Sequence, residues 1–268
     1  MRILQVCSEV YPLLKVGGLA DVTGALPQEL IRLGCDVRML LPGFPAIMRG
    51  VARKKLLLGL PAKFGTEVIQ IYTAFIPDTE VCVYVINSPS LYEREGNPYT
   101  DKSNQSYADN YQRFALLSYL AARIADGLDN TWQPQVVHAH DWHAGLTAAY
   151  LQATSIATGR KLAGSVFTVH NLAYQGVFPR QIFDELGLPG QFFDINGLEF
   201  YGQVSFLKAG LYFSDKITTV SPTYAGEIQG EEQGCGLHGL LNNREQDLSG
   251  ILNGVDMQVW NPAHDPVI

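Results

Sequence analysis

An alternation of apolar runs and amphipathic segments limits the folds open to this chain more than any other feature. RILQVCS is a short aliphatic run typical of a buried parallel strand, and DVRMLLP is a second one. Between them, DVTGALPQELIRLG carries apolar residues at helical spacing and stops at Gly34. Strand, helix and strand in this order form a βαβ unit with a right-handed crossover.

The same alternation returns later in the chain. PQVVHAHD, HAGLTAAYLQATS and SVFTVHN repeat the strand, helix and strand, and KITTVS supplies a further strand. The three intervening runs KKLLLG, EVIQIYTAF and EVCVYVIN have no helical period and predict antiparallel strands at one edge. The sequence therefore predicts an α/β fold with a doubly wound, mostly parallel, Rossmann-like sheet and an antiparallel edge addition.

Charge and cysteine usage narrow the range of functions. A formal net charge of -7 disfavours a nucleic-acid partner, which needs a basic surface. The four cysteines are scattered without a C-x-x-C pair, so neither a disulfide framework nor a zinc site is expected. No secretion signal and no run of membrane-spanning length is visible, so we expect a cytoplasmic protein that binds no membrane.

Three predicted strands end in polar sequences: SEVYPLLKVGGLAD, HAHDWHAG and HNLAYQG. Ligands of open α/β sheets bind at the carboxyl ends of the strands. If these strands are neighbours, one rim would gather the following polar, aromatic and glycine residues: Lys15, Gly17, Gly18, Asp21, His138, His140, Asp141, Trp142, His143, His170, Asn171 and Gln175.

The glycine pair Gly17-Gly18, with Lys15 ahead of it, allows two interpretations. It could be a turn beside a solvated lysine. It could also bring backbone amides close to an anion at a helix N-terminus, with Lys15 as a mobile cation for a diphosphate. Neither a G-x-G-x-x-G fingerprint nor a Walker loop is present, and the spacing alone leaves both interpretations open.

HAHDWHAG suggests a metal site at first sight, but its geometry disfavours one. Alternate strand residues share a face, so His138 and His140 lie together while Asp141 and His143 fall beyond the strand. We expect no metal, and we interpret His138 and His140 as structural histidines. Asp141, Trp142 and His143 at the strand tip suit a sugar, with carboxylate and imidazole for hydroxyls and indole for an apolar face.

Four motifs in order carry a family resemblance: KVGGLADVTGALP, HAHDWHAG, SVFTVHNLAYQG and SFLKAGLYFSDKITTVSPTYAGEI. Together with ILNGVDMQVWNP near the end, they resemble the bacterial glycogen and plant starch synthases over the whole chain. The resemblance implies the N-terminal half of a GT-B glycosyltransferase. It also implies a retaining transfer of glucose from ADP-glucose to the non-reducing 4-hydroxyl of an α-1,4-glucan, with no cofactor.

The resemblance also implies roles for individual residues. Lys15, Asp141 and His170 would be catalytic. Donor binding would fall to Lys15, Gly17, Gly18, Asn171 and Gln175, and the cleft or the acceptor side would be lined by Glu9, Asp21, Tyr99, Trp142 and His143. Residues 1–255 would form the N-terminal domain and residues 256–268 the start of an interdomain linker. The second, nucleotide-binding domain is expected to be absent from this chain, which alone would catalyse little.

Other functions remain open from the residues. The chain could be a glucan-binding domain without turnover, or a related glycosyltransferase that uses UDP-glucose or acts on sucrose, trehalose or cell-surface sugars. A nicotinamide enzyme is disfavoured, because Leu40-Leu41-Pro42 stands where the second strand would end in an acidic residue.

Overall fold

The structure is a computed structural model and describes residues 1–254. The predicted linker, residues 256–268, therefore lies outside the described residues. The strands are β1 (Arg2–Val6), β2 (Asp36–Pro42), β3 (Ala52–Pro61), β4 (Val68–Phe75), β5 (Cys82–Asn87), β6 (Val136–His140), β7 (Gly164–Val169), β8 (Val177–Phe178), β9 (Glu199–Phe200), β10 (Gln203–Ser205), β11 (Lys216–Thr219) and β12 (Leu248–Gly250).

Helices connect most of these strands. They are α1 (Gly18–Arg32), α2 (Pro45–Gly50), α3 (Pro89–Tyr92), α4 (Asn110–Ala125), α5 (Thr147–Thr158), α6 (Phe183–Leu186), α7 (Phe206–Phe213), α8 (Pro222–Glu227) and α9 (His238–Asn243). No helix within residues 1–254 combines the length and the apolar character that crossing a bilayer requires.

The main sheet has nine strands in the order β12-β11-β7-β6-β1-β2-β5-β4-β3. From β12 to β5 every neighbouring pair is parallel, whereas β5 pairs antiparallel with β4 and β4 with β3. The predicted fold class is confirmed. One detail was wrong: the third strand-like run, EVCVYVIN, forms β5, which is parallel to β2, so the antiparallel addition is β3 and β4 alone.

The order of the strands explains why helices lie on both faces of the sheet. The step from β1 to β2 runs in one direction along the sheet, and the steps from β6 to β7 and from β7 to β11 run in the other. Right-handed crossovers in opposite directions place their helices on opposite faces. In agreement, α5 packs against both α4 and α7 in one layer, while α1 packs against β2.

A small second sheet was not predicted. It has three short antiparallel strands in the order β8-β10-β9 and lies in the connection between β7 and α7. Strands of two or three residues carry too little periodicity to be distinguished from loop in the sequence. This sheet anchors the segment that follows HNLAYQG, the third of the polar strand ends.

Candidate functional site

The chain reverses its direction of winding between β1 and β6, and the candidate site lies there. β1 pairs with β2 on one edge and with β6 on the other. In open parallel sheets the crevice at this switch point, beyond the carboxyl ends of the strands, is where ligands bind. Asp141 and His170 directly follow the ends of β6 and β7, and Glu9 lies three residues beyond the end of β1, so the three polar sequences do meet at one rim.

Lys15 forms an ion pair with Asp21 across the glycine pair. The Nζ atom of Lys15 lies 2.8 Å from each carboxylate oxygen of Asp21, and both side chains are about half exposed. An exposed pair of this kind is worth at most about 1 kcal/mol. Asp21 therefore holds the Lys15 ammonium group only weakly.

The glycine pair is not required by the turn itself. Gly17 has a φ of -143°, which is extended backbone open to any residue, and neither Gly17 nor Gly18 has a positive φ. A Cβ atom built on either glycine would meet no atom within 4 Å. The space beside the backbone at the start of α1 is thus open, which favours the close approach of a ligand over the turn interpretation.

The buried carboxylate of Glu9 anchors the loop that contains Lys15, Val16 and Gly17. Its Oε2 accepts hydrogen bonds from the backbone amides of Val16 at 2.6 Å and Gly17 at 3.1 Å. Its Oε1 accepts from the hydroxyl of Tyr99, and the backbone carbonyl of Glu9 accepts from Thr23 at 2.7 Å. With only 3% of Glu9 exposed, its carboxylate shapes the loop from the interior and is not a free group at the surface of the cleft.

Tyr99, His143 and Trp142 form an aromatic layer beneath the rim. The rings of Tyr99 and His143 stack with centroids 4.4 Å apart, and burial lowers the pKa of His143 well below its usual value. Trp142 packs against the edge of Phe114 at 4.9 Å. A Cβ atom on Gly176 would come within 2.3 Å of the Trp142 ring, so the protein itself covers the indole there.

Two expectations concern this layer. Trp142 was expected to offer its indole to a sugar and His143 its imidazole to a hydroxyl. HAHDWHAG continues from β6 into a 3-10 helix, Trp142–Ala144, in which His143 is buried in the packing that supports the rim. Trp142 is only half-buried, so its contact with a sugar stays a prediction.

Asp141 carries a strained backbone and a buried carboxyl group. Its φ of 55° and ψ of -179° lie in a region that residues other than glycine rarely adopt, at a cost of about 1–3 kcal/mol. The amide of Asp141 donates to the Thr168 carbonyl at 2.9 Å, and its Oδ1 accepts from the amide of His170 at 2.8 Å. Burial, reinforced by Glu9, raises the pKa of Asp141 to about 7 against the opposing amides of His170 and Asn171.

A row of imidazoles leads from the rim into the sheet. As predicted, His138 and His140 share one face, with ring centroids 4.2 Å apart. Nδ1 of His140 lies 3.1 Å from Nε2 of His170, and Nε2 of His138 lies 2.6 Å from the hydroxyl of Thr168. Burial lowers the pKa of both His138 and His170 to about 4, and that of His140 well below its usual value. All three imidazoles are therefore neutral at physiological pH.

Asn171 and Gln175 lie further along the rim. Asn171 is exposed, and its side-chain oxygen accepts from the amide of Ala173 at 3.0 Å within a local turn. Gln175 donates from Nε2 to the carbonyl of Cys235 at 2.8 Å, and its Oε1 is buried without a hydrogen-bond partner among residues 1–254. Within those residues, no hydrogen bond joins either side chain to the Lys15 loop.

Some contributors to the site were not predicted. Ser8 shares the hydroxyl of Tyr99 at 2.8 Å, and Thr168 links His138 to Thr218 with 2.6 Å to each. Ser8 could have been found from the sequence, because it is the last residue of the first strand run, RILQVCS, at a carboxyl end. The role of Thr168 depends on the sheet register and has no local signal. Within the described part of the chain, no group of three or more His, Cys, Asp or Glu side chains is arranged to hold a metal ion.

The rim itself is an open face. A cavity of about 430 Å³ lies beside it, near the carboxyl ends of β2 and β5, and its lining includes Leu14, Tyr92, Pro98 and Arg113. Lys15, Asp141 and His170 are not among the residues that line this cavity. At the rim itself Lys15, Gly17, Gly18 and Asn171 are exposed, whereas Asp141 is buried.

Comparisons with known proteins agree with this architecture. A family model described as the starch synthase catalytic domain matches residues 2–243. The chain is 63% identical over its full length to a glycogen synthase of Francisella philomiragia, and 62% identical to one of Francisella tularensis subsp. novicida. It covers 55% of each, so it spans about half the length of the curated relatives it matches.

A solved structure is also similar. It is the catalytic domain of starch synthase IV from Arabidopsis thaliana bound to ADP and acarbose, with a TM-score of 0.85 and 30% sequence identity. The similarity covers 99% of this chain and 54% of the Arabidopsis chain.

Proposed function

Since this chain belongs to the starch synthase catalytic domain family, we propose that it is the acceptor-side half of a retaining glucosyltransferase. The complete protein transfers glucose from ADP-glucose to the non-reducing 4-hydroxyl of an α-1,4-glucan. The relatives at 62–63% identity are glycogen synthases, and the similar Arabidopsis domain carries ADP, the nucleotide that ADP-glucose would release.

The observation that carries this proposal is the continuous set of contacts at the switch point. Glu9 ties the Lys15 loop to Tyr99, Tyr99 stacks on His143, and Asp141 binds the amide of His170. Each of the three polar strand ends contributes to this rim, as a site that positions two substrates requires.

Lys15 is the group we assign to the departing diphosphate. Among residues 1–254 its Nζ is held only by the exposed carboxylate of Asp21, and the open space beside Gly17 and Gly18 admits a ligand to the backbone. In this scheme phosphate oxygens replace Asp21 at Lys15, and the lysine stabilises the negative charge that develops as the nucleotide leaves. Asp21 keeps Lys15 in place until the donor arrives.

Asp141 and His170 are the groups we assign to the reacting sugar. Attack on the face from which the nucleotide leaves, through an oxocarbenium-like state, depends on positioning and electrostatics more than on a covalent nucleophile. The buried carboxyl of Asp141 can face the positive charge of that state. Its pKa of about 7 means that the charged, stabilising form increases as the pH rises through neutrality. No cofactor and no metal takes part in this scheme.

The open rim supports a two-domain arrangement. We propose that residues 1–255 are the first domain and that a second, nucleotide-binding domain closes over the rim in the complete protein. Lys15, Asp141 and His170 do not line the cavity of about 430 Å³ beside the rim, and the relatives are nearly twice as long. The isolated chain should therefore fold and bind sugar weakly, with little or no transfer.

The test uses a chimera in which this chain is continued by the remaining half of the Francisella philomiragia relative. We expect the chimera to elongate maltooligosaccharides from ADP-glucose faster than from UDP-glucose, and the isolated chain to be inactive. Lys15→Ala should lower kcat/KM by about 10²–10³-fold. The matched control Lys161→Ala, which removes another exposed, ion-paired lysine, should change it little. Near-normal turnover of the Lys15→Ala chimera would remove Lys15 from the mechanism.

Calorimetric titration of a long maltooligosaccharide into the isolated chain separates the alternatives. Binding weakened by Asp141→Ala would place the glucan at the rim. Glucan binding by an intact, folded chimera that transfers no glucose would instead indicate a binding domain without turnover.

A further inference from the structure

His140 has no part in the proposed reaction, yet it is joined to a residue that does. It is the last residue of β6, is fully buried, and places Nδ1 3.1 Å from Nε2 of His170. The register pairs His140 with Thr168, two residues before His170, so this hydrogen bond ties together the ends of two adjacent strands. The other ring nitrogen of His140, Nε2, is buried without a hydrogen-bond partner among residues 1–254.

One proton lies between the two nitrogens, because burial keeps both imidazoles neutral. If His170 donated it from Nε2, then His140 would carry its own proton on the buried Nε2, as a donor with no acceptor. If His140 donates from Nδ1, its Nε2 is an unprotonated lone pair. Buried N–H groups without a partner are rarer in proteins than acceptors with an unused lone pair. The second arrangement therefore fits the surroundings better.

We propose that His140 is a positioning residue that fixes His170 in the tautomer with its proton on Nδ1, so that His170 offers an N–H donor to the cleft. The proton on one ring nitrogen of a histidine is set by the hydrogen bond that the other makes. Nε2 of His170 is the ring nitrogen bound to His140, so Nδ1 is the nitrogen left for another partner, and the side chain is partly exposed.

The tautomer determines what His170 can do. A protonated Nδ1 donates a hydrogen bond to an oxygen of the bound sugar, and it cannot accept a proton from a hydroxyl at that position. The backbone amide of His170 is bound to Asp141 at the same time, so main chain and ring are both held. His170 thus orients the sugar as a hydrogen-bond donor. This catalytic consequence rests on the proposed function, whereas the tautomer itself does not.

The first measurement is long-range ¹H–¹⁵N correlation spectroscopy of the isolated chain with ¹⁵N-labelled histidine. Signals of His170 are identified by their loss in His170→Asn. We expect one proton on Nδ1 of His170 and one on Nδ1 of His140. A proton on Nε2 of His170 in the unmodified chain would overturn the proposal, whatever the variants do.

Two variants with a side-chain amide at position 140 test the role of His140. In His140→Asn the side-chain amide can occupy the position of Nδ1, and in His140→Gln it reaches toward that of Nε2. The Asn variant should keep the His170 tautomer, and the Gln variant should give a mixture. In the chimera, His140→Gln should lower kcat by about tenfold with KM nearly unchanged, and His140→Asn should restore most of it.

An unchanged tautomer in a folded His140→Gln chain would show that another group fixes His170 and would refute the positioning role. Thermal unfolding of each variant confirms folding before its spectrum is compared. If the unmodified chimera transfers no glucose, the proposed function fails, while the spectra of the isolated chain still decide the tautomer.

Discussion

Replacing Asp141 by Asn should make the protein more stable at neutral and alkaline pH than at acidic pH, relative to the unmodified chain. Asn has the same shape, keeps an oxygen to accept from the amide of His170, and tolerates positive φ nearly as well as Asp. The substitution therefore removes the titrating charge and leaves the hydrogen bond and the strained backbone in place.

The magnitude follows from the pKa of Asp141, which burial raises from 3.8 to about 7. A raised pKa means that the folded state binds the Asp141 proton more strongly than the unfolded state does. The resulting contribution to the free energy of unfolding is complete below pH 3.8 and is lost as the pH rises to 7. At 1.36 kcal/mol for each pH unit, this rise of the pKa corresponds to about 4 kcal/mol of unfolding free energy. The stability of Asp141→Asn relative to the unmodified chain should increase by about that amount between pH 4 and pH 8.

Urea denaturation at several pH values measures this difference. Taking the variant relative to the unmodified chain cancels most of the opposite pH dependence of His138 and His170, whose lowered pKa values make the fold less stable toward acid. Asp215→Asn is the matched control, because hydrogen bonds from Ser165 hold the pKa of Asp215 below its usual value of 3.8. Removing this charge should change the relative stability only below about pH 4, so that of Asp215→Asn should stay nearly constant from pH 4 to pH 8. A relative stability of Asp141→Asn that is constant from pH 4 to pH 8 would refute the assignment of a buried, protonatable carboxyl group at the rim.

Three further substitutions test the layer below the rim and the loop above it. Gly176→Ala should destabilise the chain by about 2–4 kcal/mol, because φ is +57° and the new Cβ would lie 2.3 Å from the Trp142 ring. Gly17→Ala adds its Cβ in open space, so it should change stability by less than about 0.5 kcal/mol but weaken donor binding in the chimera. Equal unfolding free energies for the Gly176 and Gly17 variants would contradict this account. Tyr99→Phe should cost about 2 kcal/mol in urea denaturation, because the buried carboxylate of Glu9 loses a hydrogen-bond donor; a loss below about 0.5 kcal/mol would show that this bond contributes little.

The sequence predicted the parallel sheet well because each strand had to be buried on both sides. RILQVCS and SVFTVHN are continuous apolar runs, and runs of that kind between amphipathic helices leave few topologies open. The orientation of EVCVYVIN was predicted wrongly, because an apolar run does not reveal whether its neighbour is parallel or antiparallel. That choice depended on β2, whose sequence lies some forty residues earlier.

The position of the candidate site could be predicted from the sequence, whereas the orientation of its side chains was harder to predict. Lys15, Asp141 and His170 could be placed at one rim because the carboxyl ends of neighbouring parallel strands share an edge. The packing of Trp142 against Gly176 and the burial of Glu9 beside Tyr99 could not be predicted, because both depend on partners far along the chain. The sequence motifs predict which side chains lie near one another at the rim, while the packing determines which of them can contact a ligand.

The central place of β1 in the sheet has a consequence for synthesis on the ribosome. Ile3 of β1 pairs with Val136 of β6, 133 residues later in the chain. At a translation rate of about 5–20 residues per second, the second edge of this apolar strand waits about 7–27 s for its partner. During that interval β1 and β2 can pair, but the opposite edge of β1 remains open to other nascent chains. This is the period in which a chaperone that shields exposed strands would most increase the yield of folded protein.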